Sequence, residues 1–455
     1  MRILFVTKRF TLKRFVGVVR ELCLEGNEVV VGYPRGRRDR VPRRLRDLSN
    51  VTVAQYELSD ERYGEALALL RHLRDYAWYL SPELAVASFN RRRALDWLVQ
   101  AASGGALHAD PAWPDPLLPI DAEAAARLEA CLAELEARLP PDPGALRFVE
   151  EQEPDVVLVS PLVRGMDQSE VVKAARSLEI PTAALILSWD NLSNKQRIHV
   201  PPDRVFVWND VQRREAMELH GIAPEQVVVT GAPHWDGFFE LSPSVGRDEL
   251  YQEHGFDPAE PIVLYLGSTN EVCSDEPALV EQWVAALRSR PGRAARANVL
   301  VRRHPREGQR WAGWTPSAPR VSASKDVHRA GQDLYDELFH ASVVVGLNTS
   351  AQIEAAIVGR PVYTFSAGTD APAQGGSRHF YYLLEENGGA VSFAPTLEEH
   401  VVQLEQGLAG EYDQEAIARF AELFVRPRGI DRRVAPIVAQ EILELAGVAS
   451  GVSTG

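Results

Sequence analysis

Short apolar runs alternate along the chain with stretches in which apolar residues recur at helical spacing. The first run, "RILFVT", is followed by "FVGVVRELCLEGNEVVVGY". There Val18, Val19 and Leu22 share one helical face, and Gly26 closes the helix before a second strand, "EVVVGY". This predicts a βαβ unit with parallel strands. From about residue 60 to 147 the strand pattern gives way to helices rich in Ala, Leu and Arg, broken by "HADPAWPDPLLP". A helical insert is expected there, its aromatic-basic stretch "DYAWYLSPELAVASFNRRRALDWL" packing on the domain, with an acceptor pocket or a bilayer as alternative contacts. The alternation then resumes through "DVVLVSP", "QSEVVKAARSLE", "PTAALILS", "RVFVWN", "VQRREAMELHG" and "QVVVTGAP".

The Pro- and Gly-bearing connection "HWDGFFELSPSVGRDELYQEHGFDPAEP" carries no strand pattern and marks a domain junction. A second alternating unit follows, from "IVLYLGS" through "NVLVRRHP", "RVSAS" and "SVVVGLNT" to "RPVYTF". The predicted fold is α/β, with two doubly wound parallel-sheet domains facing a cleft. Domains are expected over residues 1–240 and 241–425, with a crossing helix and tail over 426–455. No short-period repeat is present.

Composition narrows the class. A 455-residue chain with 45% hydrophobic and 25% charged residues is of ordinary globular type and long enough for two or three domains. Cys23, Cys131 and Cys273 are scattered without metal or disulfide spacing, which fits a reducing cytoplasm. "MRILFVT" runs too soon into Lys8 and Arg9 to be a signal-peptide core, and no apolar run reaches the length of a membrane span. The net charge of −14 argues against a nucleic-acid partner. Residues 1–50 run the other way, with thirteen Lys/Arg against five Asp/Glu. The run "RGRRDRVPRRLR" reads as a solvated loop, or as a contact for an anionic substrate or for an anionic membrane surface that would make the protein peripheral to its inner face.

Two stretches carry chemistry. In "VLVRRHPREGQR" a buried strand ends in Arg302, Arg303, His304 and Pro305, cationic groups at the carboxyl edge where open α/β sheets place ligands. Strand alternation sends Arg302 and Arg303 to opposite faces, and Arg303 is the one expected to reach a phosphate. In "VVVGLNTSAQIEAAIVGRPVYTF" a strand runs into Asn348, Thr349 and Ser350, all N-cap residues, and a helix bearing Glu354 one turn in. Such a helix mouth suits phosphate, and Glu354 is placed to accept from a ribose diol, although capping and an ordinary surface Glu explain the same residues. Gly267, Ser268 and Thr269 end the first strand of the second domain, where small side chains admit close approach.

"EAAIVGRP" resembles the E-A-x-x-x-G-x-P run of the sugar-nucleotide-dependent glycosyltransferases of two Rossmann-like domains, the GT-B fold. The resemblance implies that Glu354 holds the donor ribose, that Thr349 and Ser350 hold the donor phosphates, and that Gly359 and Pro361 shape the loop into the next strand. It makes residues 1–240 the acceptor-side domain and 241–425 the donor domain. His304–Pro305 followed by Thr349–Ser350 is similar to the HP and Ser/Thr pairs of bacterial sialyltransferases and of CDP-glycerol phosphotransferases. "LSWDNLSNKQ" departs from the latter by offering Trp189, Asp190 and Asn191 in place of a tryptophan–histidine pair. Glu354 is followed by Ala355, where nonhydrolysing sugar-nucleotide epimerases have a second Glu.

The resemblance further implies a metal-independent transferase without a cofactor, its nucleotide-activated sugar being a substrate. Cationic side chains and helix ends would then stabilise the departing phosphate. A base from the first domain would activate the acceptor hydroxyl, with Asp167 in "SPLVRGMDQSE" and Asp190 in "SWDNLSNK" as candidates and His199 and His234 as further options. Asp167 as a helix cap and Asp190 in an Asx turn are the plainer readings. The expected function is glycosyl transfer from a nucleotide sugar to a saccharide or lipid-linked acceptor in surface polysaccharide or glycoconjugate synthesis. The alternatives are a CDP-polyol phosphotransferase and a non-catalytic nucleotide-sugar-binding subunit.

Overall fold

The computed structural model describes residues 1–35, 41–58, 61–117, 120–163, 166–324, 331–368 and 371–451. The chain divides into two units, Met1–Asp236 with Phe424–Gly455, and Gly237–Leu423.

The first unit is built on seven parallel strands: β1 (Arg2–Thr7), β2 (Glu28–Pro34), β3 (Val51–Tyr56), β4 (Val156–Ser160), β5 (Thr182–Leu185), β6 (Arg204–Val207) and β7 (Val227–Val229). Their order is β3-β2-β1-β4-β5-β6-β7. Side chains alternate across the sheet, so β1 serves two cores at once. Ile3 and Phe5 join Val18, Val19 and Leu22 on one face, while Leu4 and Val6 join Phe148, Val171 and Val172 on the other. Burial on both faces is why these strands read as continuous apolar runs.

The tail completes the first core. The helix Val434–Gly451 contributes Val434, Ala435, Val438 and Ile442 to the cluster around β1. Its start is fixed by Asp236, which accepts from the N–H groups of Val434 (2.9 Å) and Ala435 (2.7 Å) and from Arg426 (3.0 Å). Gly231, at φ +104°, lets the returning chain pass: a Cβ there would lie 2.8 Å from the Val425 carbonyl oxygen.

The insert consists of the helices Glu61–Trp78, Ser88–Ala102 and Ala122–Arg138. As expected, its aromatic stretch packs inward: Tyr76, Trp78, Tyr79, Leu84 and Leu95 form a separate apolar cluster. The sequence did not foretell the buried ionic layer beneath it. Arg71 donates to Glu136 (2.7 Å) and Glu170 (2.6 Å), and Arg74 to Glu129 (2.7 Å) and Glu136 (2.5 Å). Asp75 accepts from the Arg197 N–H (2.9 Å) and from Gln196 (3.0 Å).

The second unit has six parallel strands: β8 (Ile262–Leu266), β9 (Asn298–Arg302), β10 (Val321–Ala323), β11 (Val343–Gly346), β12 (Val362–Phe365) and β13 (Val391–Ala394). Their order is β10-β9-β8-β11-β12-β13. The chain winds one way from β8 to β10 and then crosses to β11 on the other side of β8, which puts a topological switch between β8 and β11. Two strands fall outside the apolar runs singled out from the sequence, β3 and β13. Both are edge strands with side chains exposed along their length, where burial does not impose a continuous apolar run.

Among the described residues no helix is long and apolar enough to cross a membrane, and no group of three or more His, Cys, Asp or Glu is arranged to hold a metal ion. Residues 36–40 of the basic run lie outside the described residues. Of its remainder, Arg35 pairs with Glu57 at 2.6 Å, and Arg43 and Arg44 lie in a short turn.

Candidate functional site

Register sets the carboxyl edge of the second sheet. Leu266 of β8 pairs with Arg302 of β9 and with Gly346 of β11, so three strand exits leave at one level. They carry Gly267–Thr269, Arg303–Pro305 and Asn348–Ser350. Tertiary structure thus brings together segments that the sequence places far apart, at the switch where open sheets bind ligands.

Each side chain at this edge has a distinct engagement. Arg302 is buried and donates to Glu337 at 2.8 Å, and Glu337, lifted by burial above the usual carboxylate range, sits on the helix Gln332–His340. Arg303 is half-buried and donates to the Ser324 carbonyl at 3.3 Å. The two arginines thus have different partners within the protein, a carboxylate for Arg302 and a backbone carbonyl for Arg303. His304 is half-buried, and its Nδ1 accepts from the Arg306 N–H at 3.3 Å, so a neutral ring carries its proton on Nε2. Burial pushes its pKa down, with the Arg306 and Arg310 charges acting in the same direction and Glu307 opposing. Pro305 is exposed.

Gly267 is small for the sake of the protein's own backbone. An added Cβ would lie 2.9 Å from both the Arg302 carbonyl oxygen and the His304 nitrogen. Its N–H donates to that same carbonyl at 2.8 Å, tying the two exits together. Ser268 is buried and turned inward, its hydroxyl donating to Glu276 at 2.8 Å. Thr269 is half-buried.

The helix after β11 runs only from Ala351 to Ile357, and its first turn differs from the expected caps. Ser350 occupies the cap position without a side-chain cap bond. Gln352 reaches back instead, its Oε1 accepting from the Thr349 N–H at 3.0 Å and its Nε2 donating to the Gly346 carbonyl at 3.0 Å. The Gln352 and Ile353 N–H groups are taken by the carbonyls of Thr349 (3.1 Å) and Ser350 (3.0 Å). The first-turn amides of Gln352 and Ile353 are therefore engaged within the protein. Asn348 is buried, with its Nδ2 3.5 Å from His379 Nε2. Glu354 is half-buried one turn into the helix. Gly359 takes φ +75° and closes the helix before β12.

Three residues at this edge escaped the sequence reading. Glu276 opens the helix Glu276–Arg288, Arg310 closes the quoted run "VLVRRHPREGQR", and His379 lies in "GGSRHFYY". The signal for the first was an acid beside the Asp275 cap, and for the second its place in the same basic run; His379 had none.

In the first unit, Asp167 lies in the first turn of the helix Met166–Ser177, which follows β4 beside the switch between β1 and β4. Its carboxylate accepts from the Tyr56 hydroxyl at 2.5 Å. Burial, reinforced by the Asp167 charge, holds the Tyr56 pKa well above its usual value, so Tyr56 remains a donor. Asp190 is more heavily occupied: Lys195 lies 2.8 Å away, and the amides of Asn191 (3.3 Å) and Asn194 (3.0 Å) donate to it. It makes no side-chain cap bond. His199 is buried 2.9 Å from Asp75. His234 follows β7 and accepts from Arg14 at 3.1 Å, with its ring against Trp208 and Trp235; burial and the Arg14 charge push its pKa well down.

No protein-family model and no curated protein matches the chain. Solved structures do. A glycosyltransferase from Rickettsia africae is 10% identical with a TM-score of 0.52, the match covering 98% of each chain. S. aureus MnaA, in its co-structure with UDP, is 14% identical with a TM-score of 0.52, covering 98% of this chain and 97% of that one. A Listeria monocytogenes protein provisionally described as a UDP-N-acetylglucosamine 2-epimerase is 13% identical with a TM-score of 0.51, covering 97% and 94%. At these identities the likeness is one of architecture. Two all-parallel α/β units, seven-stranded and six-stranded, matched along nearly the whole chain by such neighbours, give this protein the GT-B fold.

Proposed function

We propose that the protein is a glycosyltransferase that takes a nucleotide-activated sugar at the carboxyl edge of its second sheet. The observation that carries this reading is the gathering there of Arg303, His304, Thr349, Ser350 and Glu354 at the β8–β11 switch. A cation and hydroxyls suit a nucleotide phosphate, and an acid one helical turn away suits a ribose diol. Among the carboxylates of the first unit, Asp167 suits the base better than Asp190. The latter already receives an ammonium and two amides, which lower its basicity.

The fold is shared with a neighbour solved with UDP, so uridine donors are tried first, alongside CMP-, CDP- and GDP-linked sugars. Transfer releases free nucleotide. Asp167→Ala is expected to abolish release while leaving nucleotide affinity within about twofold. Absence of nucleotide binding or release with every donor would overturn the reading. The description of the Listeria neighbour favours one second reading, epimerisation, in which the sugar changes configuration and stays attached to its nucleotide; chromatography of the donor pool separates the two.

A further inference from the structure

Glu276 is fully buried, yet every group that meets its carboxylate is a donor. The Ser268 N–H donates to Oε1 at 2.8 Å and lies 3.1 Å from Oε2, and the Ser268 hydroxyl donates to Oε1 at 2.8 Å. The Tyr265 hydroxyl donates at 3.2 Å and Arg310 at 2.7 Å. Arg310 is shared: it also donates to the Ser268 carbonyl at 2.6 Å and to the Cys273 carbonyl. One carboxylate therefore joins the loop leaving β8 to the turn leaving β9, the segments that carry Gly267–Thr269 and Arg303–Pro305.

We propose that Glu276, acting through Arg310 and Ser268, is the positioning residue that holds the β8 and β9 exits in their ligand-ready arrangement, and that its ionised form is the competent one. The inference rests on the reading of this edge as the nucleotide site. A protonated Glu276 would turn an O–H toward donors and release one of its partners. Burial pushes its pKa up to about 7, against the hydrogen bonds from Ser268 and the Arg310 charge, so the two forms exchange near neutral pH. Among the described residues, the titratable and charged groups bonded to it are Tyr265 from β8 and Arg310 from the turn, with Cys273 acting on Tyr265. Tyr265 is held protonated by burial and the Glu276 charge.

The test is UDP, CDP and GDP affinity from pH 6 to 8.5 in the wild-type protein, Glu276→Gln and Ser268→Ala. Nucleotide phosphate titrates in the same range, and Glu276→Gln carries it as a reference. Beyond that reference, wild-type affinity is expected to fall about tenfold from pH 8 to pH 6, with Glu276→Gln weak throughout and Ser268→Ala intermediate. Amide exchange of residues 267–273, without ligand, is expected to quicken below pH 7 beyond its intrinsic rate in the wild type, and to be fast throughout in Glu276→Gln. Wild-type and Glu276→Gln proteins with the same affinity, or with the same loop protection, would overturn the role of Glu276. Failure of the wild type to bind any nucleotide, with the exchange pattern intact, would overturn only the nucleotide reading. If Glu276→Gln does not fold, the Ser268→Ala profile and the wild-type exchange decide.

Discussion

Arg302 and Glu337 form an ion pair at 2.8 Å, each side chain only 8% exposed, one residue before Arg303, the arginine proposed to meet the nucleotide phosphate. Removing one member of a buried pair leaves the other charge uncompensated. Arg302→Met is therefore expected to cost about 3 kcal/mol in chemical denaturation. The double variant Arg302→Met/Glu337→Leu should recover most of that loss, because an apolar pair carries no desolvation cost. Arg303→Met should leave stability within about 0.5 kcal/mol and lower nucleotide affinity instead. Equal destabilisation by the two arginine variants would contradict the division of labour at this strand exit.

Gly267 gives a second prediction. Because the nearest atoms to an added Cβ are backbone at 2.9 Å, they have little freedom to yield. Gly267→Ala should destabilise by about 1–3 kcal/mol and weaken nucleotide binding by displacing the β9 exit. Gly308 lies in the following turn with nothing within 4 Å of an added Cβ and no positive φ. Gly308→Ala should be neutral or slightly stabilising, since alanine restricts the unfolded chain. Thermal melting of both variants, with and without UDP, checks the contrast.

His400 governs a pH dependence unrelated to the ligand edge. It is fully buried between the rings of Phe365 (4.9 Å) and Trp283 (6.4 Å), and burial pushes its pKa down to about 3. The unfolded chain takes up the proton near pH 6.5, so this group's contribution is complete above that pH and is lost as pH falls toward 3. Between pH 7 and pH 5 the loss is about 2 kcal/mol. His220, also lowered to about 3 by burial, acts in the same sense, so the contrast with His400→Leu isolates one ring. Urea denaturation at the two pH values should show His400→Leu losing about 2 kcal/mol less than wild type. Identical pH sensitivity would show that His400 does not titrate on unfolding.

The sequence by itself determined the α/β class, the parallel sheets and the helical insert. These follow from local periodicity: strands buried on both faces must be apolar throughout, and helices facing a sheet must repeat at helical spacing. It also marked the two polar strand exits, after β9 and after β11, that the structure places at one level of the second sheet. Edge strands β3 and β13 lay beyond that reading because exposure frees their composition.

Only tertiary structure decided what each polar side chain does. Which of Arg302 and Arg303 is held in a buried ion pair depends on Glu337, 34 residues after the nearer of them. That Ser268 turns inward depends on Glu276 and Arg310, and the crowding of Asp190 depends on Lys195. The ionic layer under the insert joins helices whose charged residues, read along the chain, have the spacing of solvated faces. Periodicity tells a residue which side of its own element it occupies; which charge meets which is fixed only when separate elements pack, because burial makes an unpaired charge costly.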